Sequence, residues 1–306
     1  MCGAFQIYIY FHLRTIFPPS MNKLISPSSN ENINKYKVAF FDIDGTIFKS
    51  DYSMSPKTVQ AIKTLQKMGI KCCLATGRPY FGSLKVISDL GIKDASMFAS
   101  GGVVILPESK EVVFTDAIND EQLILMLHEI KKAGIHTELY SHDSYFIEGT
   151  NHISDMHLKY LNLDPSISTF EAAIAANKLN KIVSITESEE QLLTLRAIAD
   201  RYPAYSYAYS YGASHPGITF LNITSKNASR KKVFEFFLKY FGVDASETIA
   251  FGDADADITF LENAGAGIAV GNATIKAKEA AKYVTLSVEE DGVVYALQAM
   301  GVSIHD

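Results

Sequence analysis

Tryptophan is absent from this chain, and cysteine nearly so, with three in 306 residues. Two of these are the adjacent Cys72 and Cys73 inside an apolar segment. That excludes a disulfide framework and reads as reduced thiols in a cytosolic core. Histidines are few and scattered without metal-ligand spacing, which argues against a histidine–cysteine metal centre. No basic block occurs, and the net charge is -6, so the electrostatic footprint of a nucleic-acid-binding protein is missing. Long apolar runs are missing too. Ala4 to Phe17 is apolar and aromatic but is broken by His12 and Arg14, and it is too short to span a bilayer. It lacks the basic start and small-residue cleavage site of a signal peptide. Pro18-Pro19 and a polar stretch follow it, so residues 1–34 read as an N-terminal extension. That extension is a disordered tail, a peripheral membrane contact, or a stretch lying partly ahead of a true start at Met21. The expectation is a cytoplasmic protein without stable membrane insertion, a monomer or small homo-oligomer.

What is present is an ordinary globular composition, 47% apolar and 20% charged, over a length sufficient for about two domains. From Lys37 strand-like and helix-like segments alternate: strand 37–42, helix 55–69, strand 70–75, helix 79–90, then strands near 96–99 and 102–115. That order predicts a parallel sheet with helices on both faces. Between 117 and 218 the pattern changes to hairpins mixed with helices, as in an α+β module. Alternation resumes with helix 229–241 and strand 247–251 and continues to helix 290–299. The predicted fold class is therefore α/β. A doubly wound, Rossmann-like parallel-sheet core (35–116 and 219–306) is interrupted by an inserted α+β cap (117–218).

Asp42-Ile43-Asp44-Gly45-Thr46 stands directly behind the apolar run Val38-Ala39-Phe40-Phe41. The run reads as a buried parallel strand. Two carboxylates at its end lie where an open α/β sheet keeps its active site. Strand 70–75 ends in Thr76, and strand 247–251 ends in Asp253 with Asp255 and Asp257 close behind. The C-terminal ends of parallel strands share one edge, so these groups converge on one crevice. A carboxylate cluster with no histidine or cysteine partners suits a hard, oxygen-liking cation, and Mg²⁺ fits. Asp253-x-Asp255-x-Asp257 lacks the glycine and distal glutamate of a calcium loop, so Asp255 reads as a solvated turn residue.

The constellation resembles the haloacid dehalogenase-like phosphatases, most closely the Cof-type branch with a large inserted cap. The resemblance rests on Asp42-Ile43-Asp44-Gly45-Thr46, Ala75-Thr76-Gly77-Arg78-Pro79, Gly252-Asp253-Ala254-Asp255-Ala256-Asp257, Val270-Gly271-Asn272-Ala273 and Asp291-Gly292-Val293. It implies that Asp42 is a nucleophile forming an aspartyl-phosphate and that Asp44 is the general acid and base. It implies Mg²⁺ held by Asp42, the Asp44 carbonyl and Asp253, with Asp257 supporting. Thr76 and Gly77 would bind phosphate.

Three positions depart from the family pattern. Arg230 occupies the slot of a lysine that balances phosphate charge, with Lys226 and Lys231 as neighbouring cations. Ala256 replaces an asparagine, and Gly101-Gly102 replaces Asn-Gly. The implied activity is a Mg²⁺-dependent phosphomonoester hydrolase acting on small phosphorylated metabolites, sugar phosphates foremost. The alternatives are a phosphate-binding or regulatory pseudoenzyme and a phosphosugar mutase. In the cap, Ser141-His142-Asp143 and Ser214-His215-Pro216 are candidate substrate contacts. Tyr205, Tyr207, Tyr209 and Tyr211 alternate along one strand face, either packed on cap helices or serving as a substrate platform.

Overall fold

Val38–Phe41 is buried along its whole length, and the computed structural model, which describes residues 23–118, 121–161, 163–211 and 217–304, places it inside a five-stranded parallel sheet. The strand order is Tyr283–Val284, Ala266–Ala269, Thr248–Gly252, Val38–Phe41, Lys71–Leu74. Phe41 lies opposite both Phe251 and Leu74 in register, so the three strands end together. Alternate residues serve opposite faces. Ala39, Phe41, Cys72 and Leu74 meet Ile62 and Leu65 of helix Pro56–Lys67 and Val293 of helix Gly292–Ala299. Val38, Phe40 and Cys73 meet Val233, Phe234 and Phe237 of helix Arg230–Phe241. Phe40 alone contacts three rings, with centroids at 5.0–5.8 Å. Both faces of the sheet are covered, as a doubly wound core requires. The helix behind the site starts where Ser229 accepts from the Lys232 amide and stops at left-handed Gly242.

Strands Ser96–Phe98, Val103–Leu106 and Glu111–Thr115 do not extend the parallel sheet. They form a separate antiparallel sheet, joined to it through a single bridge between Ala75 and Met97. Short loops connect them, and a short loop permits only antiparallel return.

The inserted segment builds a six-stranded sheet in the order Tyr205–Tyr211, Thr219–Ser225, Lys181–Thr186, His136–Tyr140, Tyr145–Ile147, Ser166–Ile167. Its pairings are antiparallel except the last. Helices Glu121–Lys132, Phe170–Ala176 and Glu189–Ala199 pack on one face around Leu123, Leu127, Ile182 and Leu195. Thr219–Ser225 belongs to this sheet, so the cap boundary drawn at 218 falls too early. The hairpin with Tyr205–Tyr211 holds the later strand in the insertion.

The tyrosine stripe packs inward. Tyr205 is buried, Tyr207 and Tyr209 lean on the same cluster, and Tyr207 donates its hydroxyl hydrogen to the Tyr202 carbonyl at 2.7 Å. It is therefore core and not a substrate platform; the side chain of Tyr211 and the loop Ser214-His215-Pro216 lie outside the described residues.

The chain crosses between the two sheets beside Gly102. A Cβ there would fall 2.5 Å from the Asn180 carbonyl oxygen, so only glycine permits the approach. Asn180 Nδ2 donates to the Gly102 carbonyl at 3.3 Å and to Thr115 Oγ1 at 2.9 Å, and the Ile118 amide donates to the Leu179 carbonyl at 2.7 Å.

Residues 23–34 correct the expectation of a disordered extension; Met21 and the residues before it lie outside the described ones. Ile25 and Ile33 are buried in the core. The Val284 amide donates to the Lys23 carbonyl, and the Ile25 amide donates to the Val284 carbonyl, which lays this segment along the edge strand Tyr283–Val284. Glu31 anchors it, accepting from Tyr36, Tyr283 and Lys282. Polar composition concealed two well-spaced isoleucines, and these provide the docking energy.

Candidate active site

The carboxylates converge as the strand ends predict. Asp42 and Asp253 extend from neighbouring parallel strands, and with Asp257 they place carboxylate oxygens within 4.8 Å of one another. Asp42 is buried. Burial first, then the negative charges of Asp257 and Asp253, raise its carboxyl well above the usual range, and only Arg230 pulls it back. Asp253 is pushed up to about 7 by burial and by Asp257, against a hydrogen bond from Thr46 Oγ1 at 3.2 Å. With Asp257, these two carboxylates form an acidic group that could hold a cation.

Asp257 has a different job. Its Oδ2 accepts from the amides of Asp253 at 3.1 Å and Ala254 at 3.0 Å, and its Oδ1 accepts from Arg230 Nη1 at 2.7 Å. Both oxygens are engaged, so Asp257 shapes the Asp253 loop and leaves Asp42 and Asp253 with open faces. Arg230 also donates to the Ala75 carbonyl at 3.4 Å, and the pair is nearly buried. Arg230 therefore does occupy the crevice, but clamped on Asp257. Lys231 is exposed and Lys226 donates to the Pro203 carbonyl, so neither reaches in. Ala256 lies on the exposed side of the turn Asp255–Asp257. Asp255 is bound by Thr274 and Lys276 at the surface, in keeping with a solvated turn.

Asp44 points to the other side. Arg78 holds it in a two-pronged fork, Nε to Oδ2 at 2.7 Å and Nη2 to Oδ1 at 2.6 Å. The guanidinium is itself sandwiched, 5.1 Å from the Phe48 ring and 4.9 Å from the Tyr160 ring. Tyr160 belongs to the insertion's helix His152–Leu161, so the insertion braces the residue that orients Asp44. Gly45 has φ +81°, and a Cβ there would strike the Asp253 carboxylate. Asn272 Nδ2 donates to the Gly45 carbonyl at 2.8 Å and fixes the turn. Thr76 is buried, and its Oγ1 accepts from the Arg78 amide at 3.1 Å, leaving its hydroxyl hydrogen to donate. Gly77 follows it, and its carbonyl accepts from Lys181 Nζ at 3.1 Å.

The sequence reading gave no role to Arg78, Tyr160 or Lys181. Arg78 was visible inside its motif; Tyr160 and Lys181 come from the insertion, where no local spacing announces them. At the hairpin tip Ser141-His142-Asp143, Ser141 Oγ donates to Asp143 Oδ1 at 3.1 Å, a bond within the turn itself. Arg78→Ala is expected to lower kcat roughly tenfold at nearly unchanged KM, since Asp44 loses the cation that keeps its carboxylate at the crevice between the two steps. Arg78→Lys should recover only part of this, because an ammonium does not reproduce the fork. Steady-state kinetics on a phosphate ester would check it, and wild-type kcat in Arg78→Ala would reduce Arg78 to packing.

The haloacid dehalogenase-like hydrolase family profile matches residues 39–297, and the chain belongs to that family. A Haemophilus influenzae relative with a provisional phosphatase name is 29% identical over 271 residues, 86% of this chain and 97% of the relative. The Bacillus subtilis 5-amino-6-(5-phospho-D-ribitylamino)uracil phosphatase YitU is 26% identical, covering 84% of this chain and 94% of its own. Among solved structures, TM0651 from Thermotoga maritima superposes with TM-score 0.77 at 25% identity, covering 89% of this chain and all of that one. BT4131, a sugar phosphatase of subclass IIB, superposes with TM-score 0.72 at 25% identity over 87% of this chain and 99% of its own.

Proposed function

We propose that this phosphatase is a Mg²⁺-dependent phosphomonoester hydrolase that works through an aspartyl-phosphate on small phosphorylated metabolites, sugar phosphates foremost. The observation that carries the reading is the division of labour among four carboxylates. Asp42 and Asp253 have open oxygens and raised proton affinity, Asp257 is spent on backbone amides and Arg230, and Asp44 stands apart in the Arg78 fork. An all-oxygen donor set with surplus negative charge fits Mg²⁺, which Asp42 and Asp253 would hold with the Asp44 carbonyl. Bound there, the cation would neutralise charge between the nucleophile and the phosphate.

In the first step an Asp42 oxygen attacks phosphorus. The bond to the ester oxygen breaks, and that oxygen takes the electron pair together with a proton from Asp44. In the second step water attacks the phosphoryl group while giving a proton to Asp44, and the bond to Asp42 breaks with its electrons returning to the carboxylate. Thr76 donates to a phosphoryl oxygen. Asp44 leaves the Arg78 fork and takes a proton from solvent to become the acid; it regains a proton from the attacking water in the second step, and the fork receives it again as a carboxylate only when that proton passes to solvent. The sugar-phosphate class draws on BT4131 and on the ribityl ester in the name of YitU. Cytoplasmic location accords with the two free, buried cysteines Cys72 and Cys73.

Phosphate release from p-nitrophenyl phosphate and a sugar-phosphate panel is expected in Mg²⁺, with at least about a hundredfold loss in EDTA and recovery on adding the cation back. Equal turnover in EDTA and in Mg²⁺ would overturn the cation's role. Phosphate moved between two hydroxyls of one sugar, followed by ³¹P NMR, would identify a mutase instead.

A further inference from the structure

Lys181 opens the insertion's strand Lys181–Thr186 and lies opposite Tyr140 in register. Its neighbour Asn180 is pinned to Gly102 and Thr115 where the chain crosses between the sheets, so the backbone here is fixed relative to the core. The side chain leaves its own sheet and ends at the core's phosphate loop, donating to the Gly77 carbonyl. It is 7% exposed. Burial pushes the ammonium down to about 8, Glu138 and Asp44 draw it up, and Arg230 draws it down. The ammonium therefore feels Glu138 from the insertion and both Asp44 and Arg230 from the catalytic crevice.

Glu138 is fully buried, and it is kept ionised at about 2 although burial opposes this. His136 at 3.2 Å, His157 at 2.7 Å and the Tyr140 hydroxyl surround its carboxylate. A strut from the insertion to Gly77 needs one hydrogen bond, which a neutral amide would supply. A buried ammonium with a buried carboxylate behind it is a costly way to build a strut. An ammonium has three donors, and one goes to Gly77. Arg230, in the slot where the family pattern has lysine, is occupied by Asp257 and Ala75.

We propose that Lys181 is a substrate-contacting residue whose ammonium binds a phosphoryl oxygen of the ester beside Thr76 and Gly77, supplying from the insertion the compact cation that Arg230 does not provide. Glu138 is its positioning residue, holding the charge in place from behind. The inference rests on the reading of this crevice as a phosphate-ester site.

The test separates binding from turnover. Full-length wild type and Lys181→Met are titrated with inorganic phosphate in Mg²⁺ by calorimetry, and KM and kcat are measured on p-nitrophenyl phosphate. Lys181→Met is expected to weaken phosphate binding at least about tenfold and to raise KM similarly, with a melting temperature equal to or above wild type. Unchanged phosphate affinity and KM in Lys181→Met would overturn the proposal, and so would a wild type that binds no phosphate. Lysine-dependent phosphate binding with no ester turnover would leave this inference standing and remove the hydrolase reading. Should Lys181→Met fail to melt cooperatively, Lys181→Gln decides, since it retains a donor for Gly77 without the charge. Wild-type phosphate affinity in Lys181→Gln would sink the idea.

Discussion

Asp42→Asn is expected to abolish phosphate-ester turnover, by at least about a thousandfold in kcat, while making the cation-free protein more stable. The two effects share one cause. Asp42 is held in a buried position between Asp253 and Asp257, where its negative charge is costly. In the proposed mechanism Asp42 has to be a carboxylate to form an acyl-phosphate, and asparagine, close in shape, cannot do so. Removing the charge relieves like-charge repulsion, for a gain on the order of 1–3 kcal/mol in EDTA.

The gain has a pH signature whose sign follows from raised carboxyls. Asp42 and Asp253 bind protons more tightly folded than unfolded, so their contribution favours the fold below about pH 4. It turns into a growing penalty as pH rises toward the value near 7 that Asp253 reaches. The stabilisation by Asp42→Asn should therefore be large at pH 8 and small at pH 5, and Mg²⁺ should reduce it by stabilising only the wild type. Thermal melts at the two pH values, with EDTA and with Mg²⁺, measure this. A variant less stable than wild type at pH 8 in EDTA would show that the cluster is not frustrated.

Arg230→Met is expected to cost about 3–5 kcal/mol of stability, a fall in melting temperature on the order of 10 °C. The side chains of Arg230 and Asp257 are 10% and 4% exposed, and they meet at 2.7 Å. Without the guanidinium, Asp257 keeps two backbone amides but stands as an uncompensated buried charge next to Asp42 and Asp253. Converting Asp257 to leucine in the Arg230→Met background should recover part of the loss, since the unpaired charge goes with it. Arg230→Lys should be milder, because an ammonium preserves the charge without the full reach. Urea titrations of the three variants decide it, and a single variant within about 0.5 kcal/mol of wild type would mean the pair is incidental.

Much of the fold was legible because its signals are local. Val38–Phe41 and Thr248–Gly252 read as buried strands from short apolar runs, and their polar ends placed Asp42 and Asp253 on one edge before any contact was known. Helix Arg230–Phe241 lies within the expected helix 229–241, and Ser229 and Gly242 bound it. What stayed hidden depends on pairing at a distance. The segment Ser96–Thr115 has the same apolar texture whether it extends a parallel sheet or folds into its own, and only the short connections decide. The end of the insertion at Ser225 follows from the partner of Thr219–Ser225, which sequence does not name. In the candidate site, the sequence named the residues that lie in motifs and left out those that the insertion brings to them. Tyr160 over Arg78 and Lys181 on Gly77 each join positions far apart in the chain.

The segment that lies along Tyr283–Val284 has a consequence of its own. A two-residue strand at the rim of a parallel sheet offers unpaired amides and carbonyls, a template on which another polypeptide can add. Here Lys23 and Ile25 occupy that template, and Glu31 fastens the segment over it. The stretch that composition alone would discard as a tail thus covers this rim of the sheet.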